Sequence, residues 1–175
     1  AVDQPRLVTV SRLVPHKRLE QAIDTVADIA GAVLDIVGSG RWEDKLREYA
    51  APLGDRVVFY GHVNDAYKHA VVARADVHLM PSAKEGWGIA VTEAGQHGVP
   101  TVGYREAGGL RDSVVDGETG VLVESPEQFR EAAASLVADP ARRHALGEAA
   151  RERARRFSWE ETGRKFAALL DSVLA

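Results

Sequence analysis

Six short, β-branched runs alternate with segments of helical spacing, and this alternation constrains the fold more than any other feature. Residues 7–10, 33–37, 57–60, 77–80, 100–102 and 120–123 read as strands. Runs such as VLDIV and DVHLM are short and mostly apolar, as in strands covered on both faces. Between them, 19–29 carries Leu19, Ala22, Ile23 and Val26 at helical spacing. Residues 42–50, 65–74 and 89–97 also read as helices, with Asn64 as an N-cap, and 108–115 as a helical turn. Three helices close the chain, at 126–138, 141–155 and 159–174. The pattern predicts an α/β fold: a Rossmann-like, doubly wound parallel sheet of about six strands, helices on both faces and extra C-terminal helices.

Composition narrows the function. The chain of 175 residues is 45% apolar and fits one globular domain. Its net charge of −4 lacks the basic footprint of a nucleic-acid binder. No apolar run reaches the length of a membrane span. With no cysteine, disulfides, thiolate metal sites and a cysteine nucleophile are excluded together. The opening AVDQPRLVTV has neither a basic n-region nor an apolar h-region, so a cytoplasmic location is expected. The missing initiator Met and abrupt first strand suggest a piece of something longer. The Arg-rich stretch 151–156, interleaved with Glu148, Glu152 and Glu160, is expected to be a solvated helix face.

In a doubly wound sheet, ligands bind beyond the carboxyl ends of the strands. That singles out loops 11–18, 38–42, 60–64, 81–88 and 103–110. Arg12 and Lys17 stand just before a helix N-terminus, an arrangement suited to phosphate. The plainer reading is a solvated basic loop. Gly38-Ser39-Gly40 permits close backbone approach. It lacks the third glycine of a dinucleotide fingerprint and follows the second strand, so it could equally be a tight turn. The strongest signal is Pro81 to Ala94. There a Gly-x-Gly turn opens a helix, leaving the amides of Trp87, Gly88 and Ile89 free for an anion. Glu85 and Glu93 flank that turn, and a carboxylate accepts from two neighbouring hydroxyls at once. Their plainer readings are a loop surface charge and an exposed helix residue. Gly108-Gly109 is a further close-approach loop, while Phe59 and Tyr60 read as core.

Taken in order, these residues resemble the C-terminal, donor-binding domain of a GT-B glycosyltransferase of the family-4 (group 1) retaining type. The resemblance runs through nearly all of the chain. It rests on Ser11-Arg12-Leu13 with Lys17, Ile36 to Gly40, Val58 to Val63, Glu85-Gly86-Trp87-Gly88 with Glu93-Ala94 (the E-x7-E element), Gly98 to Val102, Gly108-Gly109, Asp116 to Val123 and Phe157-Ser158-Trp159. It implies that Arg12 and Lys17 bind the donor diphosphate and that Glu85 contacts the transferred sugar. It also implies that Glu93 holds the ribose hydroxyls and that the amides of Trp87, Gly88 and Ile89 lie near sugar and phosphate. Gly38 would allow close approach of the nucleotide, and the backbone near His62 and Val63 would meet the base. Departures from the family pattern are Ser11 and Arg18 where glycine is common, Trp87 for phenylalanine, Gly95-Gln96 after Glu93-Ala94, and Asp112 as the acid after the glycine pair.

The implied activity is transfer of a sugar from a UDP-, GDP- or ADP-linked donor to an unknown acceptor, which could be a sugar, a lipid-linked or a small molecule. The nucleotide sugar is a substrate, no cofactor is needed, and no D-x-D or paired His spacing marks a metal site. The chain would be the donor half of a two-domain enzyme, its N-terminal acceptor domain absent, and inactive alone. Alternatives are a non-catalytic nucleotide- or phosphosugar-binding module and half of a sugar-nucleotide epimerase, which would be expected to lack the E-x7-E context. A phosphorylase would need a pyridoxal-phosphate lysine that nothing marks, and a dehydrogenase a glycine fingerprint that is missing.

Overall fold

A computed structural model describes residues 4–157 and Arg164. Six parallel strands form one sheet: β1 (Arg6–Val10), β2 (Val33–Val37), β3 (Val57–Gly61), β4 (Val77–Met80), β5 (Thr101–Tyr104) and β6 (Gly120–Val123), in the order β3-β2-β1-β4-β5-β6. The helices are α1 (Leu19–Asp28), α2 (Glu43–Ala50), α3 (Asp65–Ala73), α4 (Ile89–Gln96), α5 (Leu110–Ser113), α6 (Pro126–Ala138) and α7 (Pro140–Arg155). The chain winds outward from β1 to β3, then returns to lay β4 on the other side of β1. The switch point therefore falls between β1 and β4, where the loops diverge and leave a crevice.

Period-two alternation in β1 explains the two layers. Leu7 joins Leu34, Ile36, Leu79 and Val102 under α1, α2 and α6, whose Ile23, Leu46, Phe129 and Leu136 are buried against them. Val8 faces the other way, packing with Val37 on Val71 and Val72 of α3 and Ala94 of α4. Helix α7 covers α4 at close range. A Cβ on Gly95 would lie 2.9 Å from the Ala150 carbonyl oxygen, so any residue but glycine would push the two helices apart.

Within the described residues the expected elements are present, with ends shifted by a few residues at most. Asn64 caps α3 as expected, its Oδ1 accepting from Tyr67 N at 2.8 Å. Trp42 caps α2 rather than belonging to it, and the turn at 108–115 contracts to α5. Two 3-10 segments, Pro15–Lys17 and Ala51–Arg56, join the predicted elements. The helix expected at 159–174 lies outside the described residues, apart from Arg164. Strand β2 is less apolar than its pattern suggests. Asp35 is fully buried and accepts from Arg6 Nη1 at 3.0 Å, Arg74 Nη2 at 3.0 Å and the Tyr60 hydroxyl at 3.3 Å. The Arg-rich stretch is only partly a solvated face. Arg155 pairs with Glu152, but Arg151 Nη2 donates to the His97 carbonyl at 3.1 Å and Arg153 Nε to that of Ser113 at 3.2 Å. These two side chains pin α7 to the loops around α4 and α5.

Candidate functional site

The site is built from three loops that clasp one another beyond the carboxyl ends of the strands. After β1, Ser11 N donates to Val37 O and Leu13 N to Ser39 O, both at 3.0 Å, which lays this loop on the one after β2. Gly38 has φ 133°, and a Cβ there would overlap the Ser11 carbonyl oxygen. The close approach that Gly38 permits in the structure is thus of loop to loop. Leu13 is fully buried and anchors the segment, while Arg12 is exposed and has no carboxylate partner among the described residues. The Pro15–Lys17 turn ends on Arg18, whose φ of 52° is left-handed. That conformation suits the glycine common in the resembling family; here the guanidinium lies 5.7 Å from the Tyr104 ring centre and 3.6 Å from Glu106.

The loop after β4 is strapped on both sides. Ala83 N donates to His16 O at 2.9 Å, Glu85 N to Ala107 O at 2.9 Å, and Gly109 N returns to Glu85 O at 3.1 Å. These bonds deliver the Glu85 carboxylate to the Lys17 ammonium, and the two form an ion pair with both side chains largely buried. Gly88 at φ 75° then starts α4. The amides of Trp87, Gly88 and Ile89 donate to no backbone carbonyl among the described residues, so the start of α4 presents open N–H groups to the cleft. The Trp87 ring leans edge-on against Phe157, with centres 4.9 Å apart.

Two clefts meet along residues 10–12. One, of about 840 Å³, is lined by Arg12, Lys17, Glu85, Trp87, Gly88 and Ile89. The other, of about 590 Å³, is lined by Arg12, Gly38, His62, Val63, Asp65 and Lys68. All the expected site residues except Glu93 line these clefts. Glu93 reaches the second through Lys68, which donates to its Oε1 at 2.6 Å and lies 3.2 Å from Asp65. Burial lowers the Lys68 ammonium, but hydrogen bonds and charge from Glu93 and Asp65 outweigh it, and its pKa lies above the usual lysine value. Lys68 and Asp65 were missed in the sequence reading. Their available signal was an acid–base pair in the first turn of a helix that follows a strand's carboxyl end.

Residues 1–153 match the family described as glycosyl transferases group 1. The chain belongs to this family. Among its relatives is a GDP-mannose-dependent alpha-(1-6)-phosphatidylinositol monomannoside mannosyltransferase of Mycolicibacterium smegmatis. It is 35% identical over 184 residues, covering 96% of this chain and 48% of that protein. A D-inositol 3-phosphate glycosyltransferase of Corynebacterium glutamicum is 35% identical over 142 residues, covering 79% of this chain and 34% of that protein. Among solved structures, sucrose-phosphate synthase from Thermosynechococcus elongatus superposes with a TM-score of 0.84 at 32% identity. The match covers 98% of this chain and 46% of that one. Anabaena HepE in complex with UDP gives a TM-score of 0.81 at 26% identity, over 95% and 48% of the two chains. This group 1 glycosyltransferase chain therefore spans less than half the length of the curated relatives it matches. No helix among its described residues is long and apolar enough to cross a membrane.

Proposed function

We propose that the chain is the donor-binding half of a retaining, metal-independent family-4 glycosyltransferase, and that its donor is a GDP-sugar. The observation that carries this reading is Arg12, without a carboxylate partner among the described residues at the junction of two clefts, with the Lys17–Glu85 pair in one and the Lys68–Glu93 pair at the edge of the other. Arg12, Lys17 and the amides of Trp87, Gly88 and Ile89 take the diphosphate at the junction. Glu85 faces the sugar, and Glu93 the ribose hydroxyls. Gly38, His62 and Val63 form the wall on the base side.

Two things favour guanine. The Asp65 side chain is 89% exposed beside His62 and Val63, leaving acceptor capacity for the two adjacent N–H donors of a guanine edge. The Mycolicibacterium smegmatis relative is named for GDP-mannose. In the reaction, the sugar C1–O bond to the diphosphate breaks and its electron pair stays on the phosphate oxygen. An acceptor hydroxyl oxygen bonds to C1 with configuration kept, and its proton is released. Charge grows on the departing phosphate, so fixed donors there act most strongly in the transition state. Without donor, Glu85 neutralises Lys17; an arriving phosphate draws the ammonium away and frees Glu85 for sugar hydroxyls. The acceptor and its site belong to the part of the relatives this chain does not span.

Calorimetry with GDP, UDP, ADP and their sugars tests this. GDP is expected to bind most tightly. Arg12→Ala and Lys17→Ala are each expected to weaken it about tenfold or more, the loss of one charge-assisted bond. If no nucleotide binds at millimolar concentration, or if both variants bind as the parent does, the reading fails.

A further inference from the structure

Two polar rungs join α3 to α4. The upper one, Lys68–Glu93, belongs to the site. One residue further along α3 and one turn further along the other side, His69 Nδ1 lies 2.8 Å from His97 Nε2, with ring centres 5.0 Å apart. Spacing of four puts Glu93 and His97 on the same side of α4 and its cap, and Asp65 and His69 on the same side of α3. Beneath the rungs, the apolar contact is made by the small side chains of Val71, Val72, Ala94 and Val99. The polar rungs therefore have a large share in setting the distance between the two helices.

A neutral pair of imidazoles holds one proton between its two nitrogens, one ring donating and the other accepting. One added proton keeps the bond, because an imidazolium donates to a neutral ring. A second turns both nitrogens into donors, and two cations then repel. The charged groups that act on His97 are Glu93 from α4 and Arg151 from α7, with Asp65 and Lys68 on the neighbouring turn of α3. Arg151 donates to the His97 carbonyl at 3.1 Å and pairs with Glu148 at 2.8 Å. Burial, then the charges of His69 and Arg151, hold His97 below the usual histidine range, with Glu93 pulling the other way. Among the described residues, no third His, Asp or Glu joins the pair in a metal-ligating group.

We propose that the His69–His97 pair positions Glu93 and Lys68 by fixing the spacing of α3 and α4, so that nucleotide affinity falls when the pair takes up two protons. This rests on the donor-binding reading given above. Neither histidine lines the clefts, so both are positioning residues.

The test is GDP binding to the chain by calorimetry, at about pH 8 and about pH 4.5, the lower value set well below the histidine range because the second proton goes to a pair that burial and Arg151 hold down. His97→Gln keeps an amide that can bond His69 but takes up no proton. The parent is expected to lose about fivefold more affinity than His97→Gln between the two pH values, the lower end of typical coupling between sites. Comparing the two removes the titration of GDP itself. His97→Ala lacks the rung and is expected to bind about fivefold more weakly at both pH values. Circular dichroism checks that it folds; if it does not, His97→Gln carries the test. Parallel pH profiles for parent and His97→Gln overturn the proposal, as does parental affinity in a folded His97→Ala at the higher pH. Absence of GDP binding in every variant at the higher pH overturns the donor reading and this inference with it. Ring-nitrogen NMR needs no nucleotide. A coupled, two-step titration of His69 and His97 supports the rung, and two independent single-step titrations overturn it.

Discussion

His78 sits in the middle of β4, completely buried, with Nδ1 2.9 Å from Thr101 Oγ1 and Nε2 without a partner among the described residues. Burial alone drives its pKa from 6.5 down to about 4. The unfolded chain therefore takes up this proton at a higher pH than the folded one. Stability from this residue is whole above 6.5 and drains away as the pH falls from there through about 4. A drop of about 2.5 pH units corresponds to about 3 kcal/mol between the two ends of that window. His78→Leu has similar volume and no titration. Urea melts of parent and variant at neutral pH and at about pH 4.5 are expected to show the variant losing less stability on acidification, by about 2 kcal/mol. Equal losses would mean that His78 is protonated in the folded chain. At this scale the sequence was read unevenly. The placing of Arg12, Lys17 and Glu85 beside the clefts was legible because loops at the carboxyl ends of parallel strands border the crevice of a doubly wound sheet. Their pairing was not, because Lys17 and Glu85 come from different loops and the Glu93 partner, Lys68, from another helix. Gly38 was legible as a close approach, but the Ser11 carbonyl it accommodates was not.

The loops after β4 and β5 act as one element. The bonds between Glu85, Ala107 and Gly109 join them, and the Gly86 carbonyl passes directly over Gly109. An added Cβ at Gly109 would overlap that carbonyl oxygen, whereas one at Gly86 meets no heavy atom within 4 Å. Gly109→Ala must therefore push the two loops apart. It is expected to cost about 1–3 kcal/mol in urea unfolding and to weaken GDP binding through Glu85 and Lys17. Gly86→Ala is expected to stay within about 0.5 kcal/mol of the parent. If the two variants melt alike, the loops are not packed as described. The sequence marked Gly108-Gly109 as a close-approach loop and Gly86-Trp87-Gly88 as a turn opening a helix, without telling which glycine is sterically obligate, since that depends on a backbone some twenty residues away. Strands and long helices were legible because burial imposes periods of two and 3.6 on their side chains. The 3-10 segments at Pro15–Lys17 and Ala51–Arg56 were not, being too short or too irregular to show a period. Asp35 marks the opposite failure: a strand pattern tolerated one charged residue because arginines from β1 and the end of α3 reach it. Asp35→Ala strands both guanidinium groups and is expected to destabilise the chain by about 1–3 kcal/mol in the same melts, less than a fully buried pair because both arginines are partly exposed.

Across the whole molecule, the residues assigned to the donor come from the loops after four of the six strands, at one edge of the sheet, while the fold's apolar layers lie behind them. On the proposed reading, a nucleotide bound there touches the loops after β1, β2, β3 and β4 and the start of α4 at once. It favours only the arrangement in which they are assembled. Binding that excludes the unfolded chain adds about 2.7 kcal/mol at a ligand concentration one hundred times Kd. For a chain of this size that is a rise of about 5–10 °C in melting temperature. GDP is expected to produce this shift in the isolated chain, and guanosine a much smaller one, because the nucleoside leaves Arg12, Lys17 and the α4 amides without an anion. Turnover is a separate matter. On the proposed reading, donor binding uses residues present here, while the curated relatives are two to three times as long as the part matched, which leaves room outside it for the site that presents an acceptor hydroxyl. The chain is therefore expected to bind GDP-mannose without transferring the sugar, measured by release of GDP in the presence of candidate acceptors. Transfer by the isolated chain would place the acceptor site within these residues, along the cleft wall formed by Trp87 and Ile89, the exposed apolar side chains beside Glu85.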